Sequence, residues 1–447
     1  MRYSKMMQAV ARLSGGDAVY STRMAHAVEL WDGMYRGQAP WNTKTVYSAG
    51  LSAAIAAETA RLTTVELQAG ITGNDCIRRL FFREVAGALR QHVEYGMAAG
   101  TLIIKPLAGE TGLHSQFIRA GRFYPLAFDA SGNVQQCAFL DQIRQNRTIF
   151  TLVEIHTLGH GGFTIENRCF CSHDDASLGA EVPLSEVERW ADLSPRTTFA
   201  GLDHLPFGIF RVPLANQVDS DSLLGVSTYS RAAELLCEAD RRYSDICWEY
   251  EAKQAAVHIA GSMLDYDKEN DRYRVPEGRE RLYRVVNYEK GMQDAPLIDV
   301  YSPEIRASSY FDGFNAQLRL IEFACNLAYG TLSDPQSVDK TAEEVKASKQ
   351  RSYAYVRDCQ TALERALMDW GEAAQFWARL YDLDTGTLSM KFEWGDSIIS
   401  DPQLEREEDR KDLANGTLRP EEYRAKYRGE TIEEALANLP QTAQVLD

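Results

Sequence analysis

A glycine-aspartate-serine triplet late in the sequence has the residue types of a hydrolase nucleophile. Gly395, Asp396 and Ser397 superficially match the Gly-Asp-Ser signature of a serine hydrolase family. A catalytic serine needs a histidine base within hydrogen-bond reach and an oxyanion hole. The last histidine is His258, far upstream, and hydrolases of that type carry the triplet near the amino terminus. The triplet therefore favours a structural segment over a nucleophile.

Two further patterns could belong to catalysis. His160-Gly161-Gly162 faintly resembles a glycine loop that forms an oxyanion hole, but the sequence has no G-x-S-x-G nucleophile elbow. Between two β-like segments, these residues predict a hairpin turn instead. The sequence also has neither a G-x-x-x-x-G-K-[ST] phosphate loop nor a G-x-G-x-x-G motif. We therefore predict no catalytic residues, no nucleotide hydrolysis and no cofactor.

Three potential metal ligands alternate in one β-like segment. Cys169, Cys171 and His173 would lie on one face of a strand. A structural zinc site takes four ligands, and no second C-x-x-C or H-x-x-H pair completes the set. We predict no metal site, although the sequence leaves metal binding by these three residues open. The eight cysteines of the chain are sparse, which predicts reduced, buried thiols in the cytosol.

Composition limits the class of protein. The chain has 447 residues, of which 45% are apolar and 25% charged, and its formal net charge is −16. These values predict an ordinary globular protein of about three domains or one large composite. This negative net charge disfavours a protein that stays tightly bound to nucleic acid. The first residues show no signal peptide, and the most apolar window, residues 46–57, is too short to span a bilayer, so we expect no membrane contact.

The first half of the chain changes from helical to β patterning. The first hundred residues read as helical, and Asn74 or Asp75 could cap a helix with an apolar stripe. Residues 101–106 predict a buried strand. Residues 116–172 predict antiparallel strands, with hairpin turns at 129–133 and 159–162.

The second half predicts helices separated by a charged β-like segment. A helix capped by Ser227 carries apolar or small residues in a 3-4 heptad spacing as far as Val257, except for Lys253. Residues 258–301 are dense in charge, with a strand at 281–286. A second heptad helix runs from Ser302 to a stop at Tyr329-Gly330.

A capping box, Thr341 to Glu344, then opens a helix of about 40 residues, or roughly 60 Å. A strand at 388–394 and a second capping box, Thr431 to Glu434, follow it.

This order of segments resembles the portal proteins of tailed double-stranded DNA bacteriophages, most closely those of siphophages that infect Gram-positive hosts. The similarity covers roughly residues 40–440. It is carried by Ala98–Pro106, a helix-to-strand step, by Leu224–Ser227 before the long helix, by Lys340–Val345, and by Phe392–Asp401, a strand with an acidic segment. The order of these segments is its specific part.

The resemblance implies a mixed α+β, elongated subunit with a helical stem, a β-rich clip, an α/β wing and a small helical crown, assembled as a ring. Its parts would be the wing at 1–217, a stem helix at 218–257, the clip at 258–301, a second stem helix at 302–329, the tunnel loop at 330–340, a long helix at 341–382, and a wing strand with crown helices at 383–447.

The resemblance also implies site residues. The DNA-facing tunnel loop would contain Ser333, Asp334, Pro335, Gln336, Ser337, Val338, Asp339 and Lys340. Arginines of the clip would dock partners, and these are Arg272, Arg274, Arg279, Arg281 and Arg284. The tunnel loop is short, and Lys340 could be a helix-terminus residue instead of a DNA contact.

The family's function would follow. Such a ring, usually of twelve subunits, is the channel at one capsid vertex through which genomic double-stranded DNA is packaged and ejected. It has no catalytic activity. It binds the terminase packaging motor, the head-to-tail adaptor, and the major capsid and scaffolding proteins. The protein would be found in the virion, and in the host cytoplasm during assembly.

The residues support this interpretation in their own right. Heptad helices suit packing against copies of themselves around a ring, and alternating charges suit contacts between subunits. Twelve copies would carry about −190 formal charges, which suits a conduit that must not hold DNA. Two alternatives remain open: a cytosolic serine hydrolase using Ser397, and a helical minor capsid or scaffold protein without a channel.

Overall fold

A computed structural model of the chain shows a mixed α+β fold, as predicted. It describes residues 2–14, 21–109, 112–253, 256–267, 272–274, 282–286, 298–302, 304, 307–334, 342–384, 386–395, 402–428 and 430–439. Ser397, Arg279, Arg281, Pro335–Lys340 and Thr341 lie outside these residues.

The described helices account for all the predicted helical regions. They are α1 (Arg2–Leu13), α2 (Thr22–Tyr35), α3 (Leu51–Thr64), α4 (Asp75–Leu80), α5 (Ala86–Ala99), α6 (Ala233–Ala252), α7 (Ala307–Ala324), α8 (Ala342–Leu380), α9 (Pro402–Ala414), α10 (Pro420–Arg428) and α11 (Ile432–Ala437). A π-helical turn, Phe81–Val85, joins α4 to α5.

The described strands form several sheets. They are β1 (Leu67–Thr72), β2 (Thr101–Gly109), β3 (Gly112–Arg119), β4 (Phe123–Phe128), β5 (Val134–Gln145), β6 (Thr148–Gly159), β7 (Gly162–Ser172), β8 (Ala180–Val182), β9 (Arg196–Ala200), β10 (Gly208–Arg211), β11 (Ala256–Ala260), β12 (Tyr266–Asp267), β13 (Arg272–Tyr273), β14 (Tyr283–Val286), β15 (Ile298–Tyr301) and β16 (Ser389–Trp394).

We use four names for the parts of the molecule. The body is α1–α5, β1–β10, α8 and β16. The hairpin is α6 with α7, and the tip is the group of short strands β11–β15 that lies between them in the chain. The C-terminal helices are α9–α11.

The helix that precedes β2 forms for the predicted reason. The Asn74 side chain accepts the Ile77 N–H at 2.9 Å, which caps α4. The apolar stripe from Ile77 to Val93 is buried throughout. Gly100 ends α5 with φ +85°, and a Cβ there would lie 2.3 Å from the Gly225 carbonyl oxygen. Only glycine fits this close approach of two backbones.

The body contains two main sheets. A three-stranded sheet of order β10-β2-β3 packs against α5 and α8. A larger antiparallel sheet has the order β4-β5-β6-β7-β8, with β9 also paired to β7. Both predicted hairpins are confirmed: residues 129–133 connect β4 to β5, and Gly159 pairs with Gly162 between β6 and β7.

An ionic triad, in which Lys105 and His156 are buried and Glu154 is partly buried, connects the two sheets. Lys105 of β2 and His156 of β6 both bond to the Glu154 carboxylate, also of β6. Burial alone would raise the pKa of Glu154, but the adjacent Lys105 ammonium and His156 outweigh it and hold that pKa well below its usual range. Burial lowers the pKa of His156 in spite of Glu154. The triad therefore exists as an ion pair with a neutral histidine at pH 7.

The long predicted helix is confirmed as α8, whose 39 residues span about 58 Å. Its stripe from Ser352 to Trp377 is buried. It crosses β10 so closely that a Cβ on Gly208 would lie 1.8 Å from the Ala366 carbonyl oxygen. The predicted strand after it, β16, pairs antiparallel with β1, a strand that the sequence analysis missed.

Two predicted helix ends are wrong. Ser227 does not cap α6, because its carbonyl accepts the Ser230 N–H at 2.9 Å in a tight turn that delays the helix to Ala233. The next helix, α7, ends at Ala324 rather than at Tyr329, because Asn326 adopts a left-handed φ of +57°. The second capping box, Thr431 with Glu434, is confirmed at α11.

Candidate functional site

The two heptad helices form an antiparallel pair. Gln317 donates to the Leu235 carbonyl at 2.8 Å, and Arg242 donates to the Gly313 carbonyl at 3.1 Å. Further along, Lys253 donates to the Glu304 carbonyl at 3.1 Å. Because later positions of α6 meet earlier positions near α7, the chain leaves the body along α6 and returns along α7. The pair is about 30 Å long, from the 20 residues of α6.

The predicted heptad seam of α6 is only partly buried within one chain. Ala232, Ala239 and Ile246 are buried, whereas Tyr243 and Tyr250 are exposed. A seam of this kind normally buries all its large members. The single chain therefore leaves part of the apolar surface of the hairpin exposed to water.

Polar residues that the heptad analysis missed fasten α6 to the body. Asp240 is buried and accepts the Trp41 indole N–H at 2.9 Å and the Ala49 N–H at 2.8 Å. One turn later, the Ser244 hydroxyl accepts the Tyr47 N–H at 2.8 Å. An acidic residue inside an apolar stripe is the signal that could have found this contact, since a buried carboxylate needs donors.

The root of the hairpin is fastened in the same way. Glu322 of α7 is buried and accepts the backbone N–H groups of Leu332 at 2.6 Å and Ser333 at 2.8 Å. Its second oxygen accepts the Ser333 hydroxyl at 2.8 Å. Asp334, whose N–H donates to the Asn315 side chain at 2.7 Å, is exposed. Thus Ser333 anchors the segment after α7, and the chain leaves α7 at a fixed point.

Of the eight residues predicted to face DNA in the tunnel loop, the structure describes only Ser333 and Asp334. Ser333 is 3% exposed and faces Glu322, so within the single chain it presents no surface. Asp334 is exposed, and its role as a DNA-facing residue stays a prediction. Pro335, Gln336, Ser337, Val338, Asp339 and Lys340 lie outside the described residues.

The predicted clip is a small β structure, as the sequence indicated. Its sheet has the order β14-β11-β15, with β11 parallel to β14 and antiparallel to β15. Ala256 pairs with Tyr301, so this sheet begins where α6 ends. All four residues of β15 are exposed, although three of them are apolar or aromatic. An edge strand of that kind is a template for pairing with another chain.

The predicted docking arginines fall on separate short strands. Arg284 is exposed on β14, opposite His258 of β11. Arg272 lies on β13, and the Arg274 N–H just after it donates to the Asp265 carbonyl at 2.8 Å. Arg279 and Arg281 lie outside the described residues. Their docking role stays a prediction.

The largest exposed side chains of the hairpin and tip are apolar. Trp248 on α6 is 66% exposed, Leu320 on α7 is 57% exposed, and Val300 on β15 is 65% exposed. Tryptophan exposed to this degree is typical of a contact residue. Four exposed side chains of α6 are acidic and two are basic. The acidic ones are Glu234, Glu238, Asp245 and Glu251, and the basic ones are Arg242 and Arg241, which pairs with Glu238. The hairpin therefore combines bare apolar positions with a negative surface.

The three candidate metal ligands do not converge. Cys169 is buried in a small apolar cluster with Leu152, Val187 and Trp190. Burial raises the pKa of Cys169 to about 11. His173 is exposed, with its ring nitrogen 3.2 Å from the Arg147 carbonyl. Within the described ranges no group of three potential ligands is placed to hold a metal ion.

Comparisons with known proteins give a structural likeness alone. No protein-family model matches the sequence, and no curated protein matches it. Among solved structures, a chain of the "Neck of native GTA particle computed with C12 symmetry" is similar over 97% of this chain and 98% of that chain, at 13% identity and a TM-score of 0.44. In the described part of the chain, no helix is long and apolar enough to cross a membrane.

Proposed function

We propose that this chain is the subunit of a portal: a ring at one capsid vertex through which double-stranded DNA is packaged and later ejected. Its partners would be further copies of itself, a terminase motor, a head-to-tail adaptor, and the capsid and scaffolding proteins. It would act in the virion, without a catalytic activity of its own.

The exposed apolar side chains of the hairpin are the main observation that supports this proposal. A single chain builds an antiparallel helix pair and fastens it to the body through Asp240. It holds the segment after α7 through Glu322 and leaves Trp248 and Leu320 in water. Apolar surface of this kind is removed from water by association. If the Trp248 surface of one copy packs on the Leu320 surface of the next, the contact is head-to-tail, and a head-to-tail contact whose rotation closes generates a ring. These surfaces, rather than the likeness to the neck chain, support the proposal.

The charge of the chain suits the passage of DNA. A wall rich in Lys and Arg would hold phosphate by releasing counterions. This chain is acidic overall, and α6 exposes Glu234, Glu238 and Asp245. A ring built from such hairpins would let a duplex slide. Asp334 and Asp339 test this directly: changing both to Lys should slow DNA packaging or ejection in a reconstituted particle, and unchanged translocation would argue against an acidic conduit.

Negative-stain microscopy of the purified full-length chain, alone and with its capsid and scaffolding proteins, tests the ring. We expect rings with a central hole wide enough for a DNA duplex. Leu320→Asp should abolish them, whereas the matched body variant Leu193→Asp should not, because Leu193 is also partly exposed but lies away from the hairpin. Wild-type particles without a hole would favour the non-channel capsid protein instead.

A further inference from the structure

A groove on the body has no covering element in the described part of the chain. It lies between the end of α3, β1 and the π-helical turn, and has a volume of about 220 Å³. Its lining includes Val65, Leu67, Phe82, Leu89 and Arg90. Val65 is 48% exposed and Phe82 is 53% exposed. Exposed apolar side chains thus lie beside a guanidinium group.

The π-helical turn explains why one phenylalanine faces outward. Phe81 is buried and lies 5.8 Å from the Trp370 ring, so it anchors the turn to α8. Phe82, the next residue, projects into the groove instead of the core. Single π turns inside helices recur at functional sites. The groove is therefore a built feature of the body, with one wall fixed by Phe81.

The charge at the lip of the groove selects the chemistry of an occupant. Arg90 is exposed and makes no ion pair or hydrogen bond with any residue that the structure describes. A free guanidinium group beside apolar side chains suits an amphipathic segment with a carboxylate next to its apolar anchors.

The C-terminal helix α11 has this pattern. Ile432 and Leu436 lie one turn apart and are 60% and 59% exposed, while Ala435 is buried. Glu433, the residue after Ile432, is exposed, and Glu434 is engaged in the capping box with Thr431. Both the groove and this apolar pair are bare in the same chain, so the chain's own α11 does not fill the groove.

We propose that α11 of a second copy docks in this groove, with Ile432 and Leu436 as anchors and Glu433 facing Arg90. The inference rests on the proposed function because it requires copies side by side. Strand β16 ends at Trp394, which pairs with Leu67 of the groove wall. The C-terminal helices of every copy therefore follow a strand that ends beside a groove.

A photo-crosslink tests the contact. Benzoylphenylalanine is placed at position 436, and isotopically light and heavy full-length proteins are mixed before assembly. We expect light-to-heavy crosslinked peptides that join α11 to residues 64–90. The same probe at Leu193, a body position of lower exposure away from the groove, should give none of these peptides.

A charge exchange tests the pairing. Arg90→Glu and Glu433→Arg should each lower the yield of that crosslink about tenfold, and the double variant should restore it to within about twofold. Arg122→Glu, which changes an exposed arginine elsewhere on the body, should have no effect.

Crosslinks only within one copy, or to other regions, would overturn the docking. It would also be overturned if the two single variants each lowered the crosslink yield and the double variant did not restore it. Micrographs of the same samples separate the two proposals. Rings without the crosslink would leave the portal standing and remove only this contact, whereas the crosslink without rings would support the contact and remove the portal.

Discussion

The body and the hairpin differ in the exposure of their large apolar side chains. In the body, Trp370, Phe123 and Phe210 are almost fully buried, and α8 closes the core over two sheets. On the hairpin and tip, Trp248, Leu320 and Val300 are mostly exposed. Both regions use the same residue types, so composition does not cause the difference. The body completes its core within one chain, whereas the hairpin leaves large apolar side chains in water, and these are the surfaces that the proposed assembly would bury.

Removing a large side chain from the body should give the largest effect. Trp370 packs against Phe81, and its indole N–H donates to the Ser115 hydroxyl at 2.8 Å. Trp370→Ala should lower the free energy of unfolding by about 3–5 kcal/mol, because it leaves a cavity and an unpaired hydroxyl. Urea denaturation of the unassembled chain measures this. A loss below about 1 kcal/mol would contradict a closed core at this point.

The same change on the hairpin should leave unfolding almost unaltered and weaken association. Trp248→Ala combined with Leu320→Ala should change the free energy of unfolding by less than about 1 kcal/mol, because both side chains are already in water. Self-association should weaken at least about thirtyfold, the effect of losing about 2 kcal/mol at a contact hot spot. Sedimentation velocity measures it. Unchanged association would show that these residues contact no other copy.

Acid should destabilise the body through the triad between its sheets. The pKa of His156 is lowered by burial, so below about pH 6.5 the unfolded chain takes up a proton that the folded chain refuses. Glu154 also has a lowered pKa, so a second loss of stability begins below about pH 4.5 and continues towards its folded pKa.

Both groups act in the same direction, so the free energy of unfolding should decrease steadily as the pH is lowered from 7.5 to 4.5. Urea titrations at pH 7.5, 5.5 and 4.5 measure the fall. His156→Gln should flatten the upper part, leaving the share of His92, whose pKa is also lowered by burial. A His156→Gln profile that superimposes on that of the wild type would remove the triad as its cause.

Sequence patterns predicted the elements best where local chemistry and tertiary packing agree. The Asn74 cap, the two β hairpins and the stripe of α8 were all readable, because caps, turns and 3.6-residue periodicity are local properties. Strand β1 was missed because its definition comes from β16, more than 300 residues later in the chain.

The candidate site was less predictable for a related reason. The heptad pattern of α6 indicated a helix that packs on a helix, but Asp240 and Ser244 are buried by residues 41–49, which no periodicity connects to α6. Similarly, the resemblance predicted Ser333 to face DNA, whereas the buried carboxylate of Glu322 on α7 decides its position. Long-range polar contacts carry no sequence period.

The smallest predicted effect concerns the root of the hairpin, where the two kinds of region meet. Ser333→Ala removes one donor from the buried Glu322 carboxylate and should lower the free energy of unfolding by about 1–2 kcal/mol. Ser131→Ala, at an exposed turn, should change it by less than about 0.5 kcal/mol. Hydrogen exchange at Leu332 and Ser333, whose N–H groups bind the same carboxylate, should accelerate only in Ser333→Ala. Fast exchange there in the wild type would show that the root of the hairpin is not protected as the body is. The part of the chain that is stable by itself would then begin again only at α8.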